Sequence, residues 1–268
     1  MMGSIAMRTL LCSLMALSLS GADWPQFRGP GGTGLCPTCG PMPVAFGPEK
    51  NVLWKTAVPE GKSSPLLVGD RILLTASEGD ELITLCLSRA TGKLIWRQSV
   101  RAGKRETMNA LNHRAAPTPV SDGKNVYAFF ADFGMVSYDL DGKWRWQLPM
   151  GPFNSQHGVV ASPVYADGRV ILVLDQDTDA YIVGVDSNSG KIAWRAPRNV
   201  INGYSTPIIH RPLRGPAQVI APGSYQLTAY SVVDGEQVWF ARGLTCQPKS
   251  APTISGDILY FDGWTSGN

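Results

Sequence analysis

Short apolar runs alternate with polar turns along most of the chain. The runs "RILLTA" (71–76), "LITLCL" (82–87), "NVYAFF" (125–130), "MVSYDL" (135–140), "RVILVL" (169–174), "YIVGVD" (181–186), "QLTAYS" (226–231) and "DILYF" (257–261) are five or six residues long. Polar hairpins such as "SEGDE" (77–81) and "DQDTD" (175–179) separate them. That length and spacing predict short strands joined by hairpins, with no helical periodicity. After each third strand comes a Gly turn with Trp four residues on: "TGKLIWR" from Thr91, "DGKWRWQ" from Asp141, "SGKIAWR" from Ser189 and "DGEQVWF" from Asp234. Trp96, Trp146, Trp194 and Trp239 are spaced by 50, 48 and 45 residues. Each unit opens on a small residue and proline, at Pro65, Pro117, Pro163, Pro207 and Pro252, with a Gly-Asp or Asp-Gly turn following in most. Four hairpin-linked strands in about 45 residues make one propeller blade.

The fold predicted is all-β, a β-propeller of four-stranded antiparallel blades, with four complete blades and a partial fifth. The segment "NVLWKTAV" (51–58), with Trp54 in the Trp position, reads as a lone outer strand. Residues 1–22 read as a signal peptide: Arg8 precedes the apolar run "TLLCSLMALSLS", too short to span a bilayer, and small residues follow it. Residues 23–50 are an irregular N-terminal segment, with "GPGGTG" (29–34) flexible, and 51–268 are the propeller. No later stretch is long and apolar enough to cross a membrane. The expectation is an exported protein, periplasmic or extracellular.

Composition narrows function little. Charged residues are 17% of the 268 and the net charge is +3, with no basic run, which argues against nucleic acid. "CPTC" (36–39) has no second pair to complete a zinc site, and a local disulfide or free thiols remain the alternatives. "DQDTDAYIVGVD" (175–186) has the acidic spacing of a calcium loop, but Ala180 stands where glycine is needed, so a hairpin is favoured.

The stretch Asp186–Trp194, "D-x-N-x-G-K-x-x-W", resembles the repeat of the pyrroloquinoline-quinone-like β-propellers, and "DWPQFRG" (23–29) resembles the start of mature exported bacterial members. The repeat's Asp is Ser88 in the first unit and Ser231 in the fourth, and the second is one residue short between Asp139 and Gly142. The resemblance implies that Gly92, Trp96, Gly142, Trp146, Gly190, Trp194, Gly235 and Trp239 pack neighbouring blades. It also implies a ring of seven or eight blades, roughly 320–400 residues at this period, of which this chain is a truncated piece.

The residues before each unit's proline should lie at the mouth of the central channel. Lys62, Asn112, His113, Arg114, Gln156, His157, Asn202, Tyr204, Gln247 and Lys249 make that register polar and net positive, a candidate site for a small anionic ligand. Three functions follow. The first is a non-catalytic module that binds a ligand or scaffolds an unknown protein partner, with no cofactor. The second, implied by the resemblance, is a quinoprotein dehydrogenase of alcohols or sugars using pyrroloquinoline quinone with calcium. The third is a hydrolase built on His113 and His157. Neither a catalytic base, a metal-ligand set nor a nucleophile is visible, so no catalytic residue and no metal ligand is assigned, and the binding module ranks first.

Overall fold

The computed structural model describes residues 22–262 apart from Pro37, Thr245 and Asp257, so the expected signal peptide lies, save Ala22, outside the described residues. Its strands form four antiparallel four-stranded sheets and one two-stranded sheet. The first sheet is β1 (Leu66–Val68), β2 (Arg71–Glu78), β3 (Glu81–Ser88) and β4 (Leu94–Arg101). The second is β5 (Val120–Ser121), β6 (Asn125–Phe130), β7 (Gly134–Asp139) and β8 (Trp144–Pro149). The third is β9 (Val164–Ala166), β10 (Arg169–Leu174), β11 (Tyr181–Asp186) and β12 (Ile192–Pro197). The fourth is β13 (Ile208–His210), β14 (Gln218–Gly223), β15 (Gln226–Ser231) and β16 (Gln237–Arg242), and β17 (Thr253–Ser255) and β18 (Ile258–Tyr260) begin a fifth. Strand order follows chain order in every sheet, and the first strands of blades 1 to 4 touch in succession around the inside. The chain is a propeller of four blades and part of a fifth.

The core is sliced between blades. One apolar cluster joins blades 1 and 2 through Leu73, Phe130 and Tyr138. A second joins blades 2 and 3 through Phe129, Leu172 and Val183, and a third joins blades 3 and 4 through Ile171, Val219 and Tyr230. The middle strands are buried on both faces, which is why they read as unbroken apolar runs.

The recurring Trp is the wedge at each slice. Trp96 lies over Gly142 of the next blade, Trp146 over Gly190 and Trp194 over Gly235. A Cβ would sit 2.7 Å from the ring at Gly142 and 2.6 Å at Gly190. These glycines also hold φ of +83° and +71°, so both the close approach and the left-handed backbone require glycine. Each indole Nε1–H donates to a carbonyl of that same turn: Trp96 to Leu140 at 2.9 Å, Trp146 to Ser187 at 2.9 Å and Trp194 to Val232 at 2.9 Å. A buried indole therefore keeps its polar edge satisfied while removing on the order of 200 Å² from water, at most about 5 kcal/mol. In blade 2 the acceptor stands two residues before the glycine instead of three, as its shortened turn requires. A bulge precedes the Trp in all four outer strands and sets its angle. The repeat's Asp186 caps its turn, its Oδ1 accepting from the Ser189 N–H at 2.9 Å.

Three expectations need correction. Residues 51–58 form no strand with any of the described residues. Trp54 nonetheless takes the Trp position, lying over Gly92 and donating to the Arg89 carbonyl at 3.0 Å. The second unit opens at Pro119, not Pro117. Every inner strand begins one residue after its proline, and β5 begins at Val120. The same offset places one hydroxyl per blade in a staple: the Ser64 N–H donates to Thr118 Oγ1 at 2.9 Å, the Thr118 N–H to Ser162 Oγ at 3.0 Å, and the Ser162 N–H to Thr206 Oγ1 at 3.0 Å. Third, "GPGGTG" is not a loose tether: Gly29 and Gly32 are buried, and residues 30–32 form a short 3-10 turn against β13.

Candidate functional site

The loops that lead into the inner strands gather at one end of the blades, because each carries the chain from an outer strand back to the axis. Four predicted residues come together there. Asn112, His157, Tyr204 and Lys249, with Asn109, Leu111 and Val160, line a cavity of about 420 Å³ drawn from the loops leading into blades 2, 3, 4 and 5. The His157 and Tyr204 rings stand 5.8 Å apart, inclined at 60°. Asn112 Nδ2 donates to the His157 carbonyl at 2.5 Å, and the Tyr204 N–H donates to the Pro248 carbonyl at 3.0 Å, so adjacent loops fix one another. The Tyr204 hydroxyl is buried and has no hydrogen-bond partner among the described residues. Burial, with Asp177 adding to it, pushes that phenol up to about 12, so it remains a protonated donor at neutral pH.

The other predicted residues do not line this cavity. Lys62 is exposed, and its Nζ donates to the Leu111 carbonyl on the cavity's rim. His113 Nδ1 accepts from the Ala115 N–H at 3.2 Å. Burial holds the His113 imidazole below its ordinary value, Glu60 opposes this, and Lys62 and Arg114 reinforce it. Arg114, assigned to the register through Pro117, instead pairs with the fully buried Asp132 at 2.9 Å. Gln156 is exposed, its N–H donating to Asp177 Oδ2 at 3.2 Å. Asn202 and Gln247 have φ of +49° and +55° and shape their loops, both meeting Ser224 through main-chain atoms.

Sequence reading missed the acidic half of this end. Asp132 anchors Arg114 and also accepts from the Glu106 N–H at 2.9 Å. Asp175 is fully buried against Arg198, which donates through Nε at 2.6 Å and through Nη2 at 3.1 Å, while its Nη1 reaches the Tyr230 hydroxyl at 3.2 Å. Burial pushes the Asp175 carboxyl up, and the guanidinium opposes that shift. Each carboxylate falls one or two residues beyond a middle strand, β6 or β10, a position the apolar pattern alone does not flag. The acidic residues of 175–186 do not converge on a metal. Asp175 is claimed by Arg198, and Asp186 lies at the opposite end of the β10–β11 ladder, paired with Arg169 at 3.0 Å.

Among the described residues no group of three or more His, Cys, Asp or Glu could hold a metal ion. The cavity lining of Asn109, Leu111, Asn112, His157, Val160, Tyr204 and Lys249 contains no carboxylate, and no step through a calcium–quinone pair is derived. Cys36 and Cys39 form a disulfide, while Cys86 is free and buried, its thiol pushed up to about 11 by burial. No helix among the described residues is long and apolar enough to cross a membrane.

A family model described as outer membrane protein assembly factor BamB, built on the quinoprotein repeat, matches residues 44–173 and 153–261. A comparison with curated proteins found no match. Among solved structures, BamB from Moraxella catarrhalis is 14% identical with a TM-score of 0.53, over 76% of this chain and 58% of that one. Quinohemoprotein alcohol dehydrogenase from Comamonas testosteroni is 12% identical with a TM-score of 0.55, over 74% of this chain and 38% of that one. Quinohemoprotein alcohol dehydrogenase ADHIIG from Pseudomonas putida HK5 is 15% identical with a TM-score of 0.53, over 69% and 34%. At these identities the likeness is one of fold, and the chain spans less than three fifths of each of these structures. With the repeat, the blades and the family match in agreement, the chain belongs to the PQQ-like β-propeller family represented by outer membrane protein assembly factor BamB.

Proposed function

We propose that this propeller is an exported, non-catalytic binding module whose mouth cavity takes an anionic, carboxylate-bearing ligand, free or on a protein partner. The observation that carries the reading is the convergence of Asn112, His157, Tyr204 and Lys249, from four successive loops, on one cavity. Asn112, His157 and Lys249 give this wall polar and positive groups; the nearby Asp132 and Asp175 are engaged by arginines, and Asp177 accepts from the Gln156 N–H. A carboxylate would meet the Lys249 ammonium and the His157 edge with charge-assisted hydrogen bonds, and Leu111 and Val160 would take an apolar stem. The family's description as an outer membrane protein assembly factor agrees with a surface that binds.

The quinoprotein reading rests on fold likeness alone. Calorimetric titration with succinate tests the proposal, with succinamide as the uncharged control. Saturable binding of succinate, lost in the amide and weakened about tenfold by Lys249→Met, is the expected result. Equal behaviour of the two compounds, or saturable uptake of pyrroloquinoline quinone with calcium in their place, would overturn it.

A further inference from the structure

The stretch "DWPQFRGPGGTG" (23–34) is not absorbed by the repeat or by the mouth cavity. It lies on the inner edges of the blades. Leu67 sits in β1, whose one side pairs with β2. On its other side, the free edge facing the axis, Leu67 exchanges both main-chain hydrogen bonds with Trp24, at 2.7 and 3.1 Å. The next residue serves the next blade: the Pro25 carbonyl accepts from the Ser121 N–H on the free edge of β5, at 2.8 Å. Asp23 Oδ1 accepts from the Gly69 N–H at 2.8 Å.

Further along, the Gln26 side chain is only 8% exposed, and Gly32 packs so closely on Ile208 of β13 that a Cβ would stand 3.0 Å from its Cγ2. Arg28 Nη1 donates to the Ala251 carbonyl at the start of blade 5, at 3.2 Å. The segment thus touches blades 1, 2, 4 and 5. It also folds on itself, with the Trp24 ring lying over Gly29 (φ +70°), where any Cβ would collide with the indole. Inner strands of two or three residues expose unpaired N–H and C=O groups, and an extended peptide is the chemistry that satisfies them.

We propose that the inner edges of the blades form a peptide-binding groove for a segment that opens on an edge-paired aromatic–proline dipeptide and then turns back on itself through arginine and glycine, occupied in cis by residues 23–34. This is independent of the mouth cavity. Its occupant is held by main-chain hydrogen bonds from Trp24 and Pro25 to β1 and β5 and by the Arg28–Ala251 contact, while the Trp24–Gly29 clasp fixes its own shape. After Gly34 the chain runs outward through exposed residues, among them Met42, Val44 and Phe46. The groove and its occupant are therefore linked by a tether that a protease can reach.

The test uses the full chain, folded first and then cut once at a protease site placed between Met42 and Phe46. The N-terminal fragment should co-elute with the propeller on gel filtration, with unchanged circular dichroism. A labelled synthetic peptide of residues 23–34 should then exchange into the cut protein but not the uncut one. The same peptide carrying Gly29→Val should bind at least tenfold more weakly. Release of the fragment from a still-folded propeller, unfolding on cleavage, or equal uptake of both peptides would overturn the proposal.

Discussion

Trp194 and Trp239 hold the same place in consecutive blades and meet different surroundings. Trp194 is buried over Gly235 and bonded to the Val232 carbonyl of the following blade. Trp239 has no following Gly turn among the described residues. It is half-buried, and its Nε1–H turns back to Gln218 Oε1 of its own blade at 2.9 Å. The motif is therefore not a self-contained unit. Half of each Trp contact belongs to the next repeat, so stability in such an array comes as much from interfaces as from blades.

Substitutions can break this comparison, and the largest effect lies in the interface between blades 3 and 4. Arg198→Met strands the Asp175 carboxylate in a fully buried site and should cost about 3–5 kcal/mol in urea denaturation. Gly190→Ala follows at about 3 kcal/mol, since the new Cβ meets Trp146 and must also adopt positive φ. Trp194→Ala should cost about 3–5 kcal/mol against less than half that for Trp239→Ala, which sharpens the contrast directly. Ser162→Ala leaves the Thr118 N–H without its acceptor and should cost about 1–3 kcal/mol.

The smallest effect is a pH dependence from His113. Its folded-state value lies below the ordinary one, so the native state favours the neutral ring and the unfolded chain binds the extra proton. This contribution is full above the unfolded value near 6.5 and is lost as pH falls through the lower folded one. Stability measured between pH 7 and 5 should therefore fall less steeply in His113→Gln.

The blades were legible in the sequence because one contact recurs: a wedge must be Trp and the surface under it must be Gly, whatever else varies. The second unit was set two residues off because "APTP" offers two prolines, and only the β5 start at Val120 and the Thr118 staple decide between them. Of the candidate site, Asn112, His157, Tyr204 and Lys249 were recoverable from the register before the inner strands. Asp132 and Asp175 were not, since their partners Arg114 and Arg198 lie 18 and 23 residues away and no local pattern links them. The docking of 23–34 was equally hidden. It has no periodicity, and its main-chain partners lie some 43 to 96 residues along the chain.

The central claim is that each blade's Trp is locked by the turn of the blade after it. Hydrogen exchange of the indole Nε1–H groups, resolved by NMR on the 268-residue chain, tests it most directly. The account predicts slow exchange at Trp96, Trp146 and Trp194 and exchange at least tenfold faster at Trp239. A Trp239 indole as protected as that of Trp194 would contradict it.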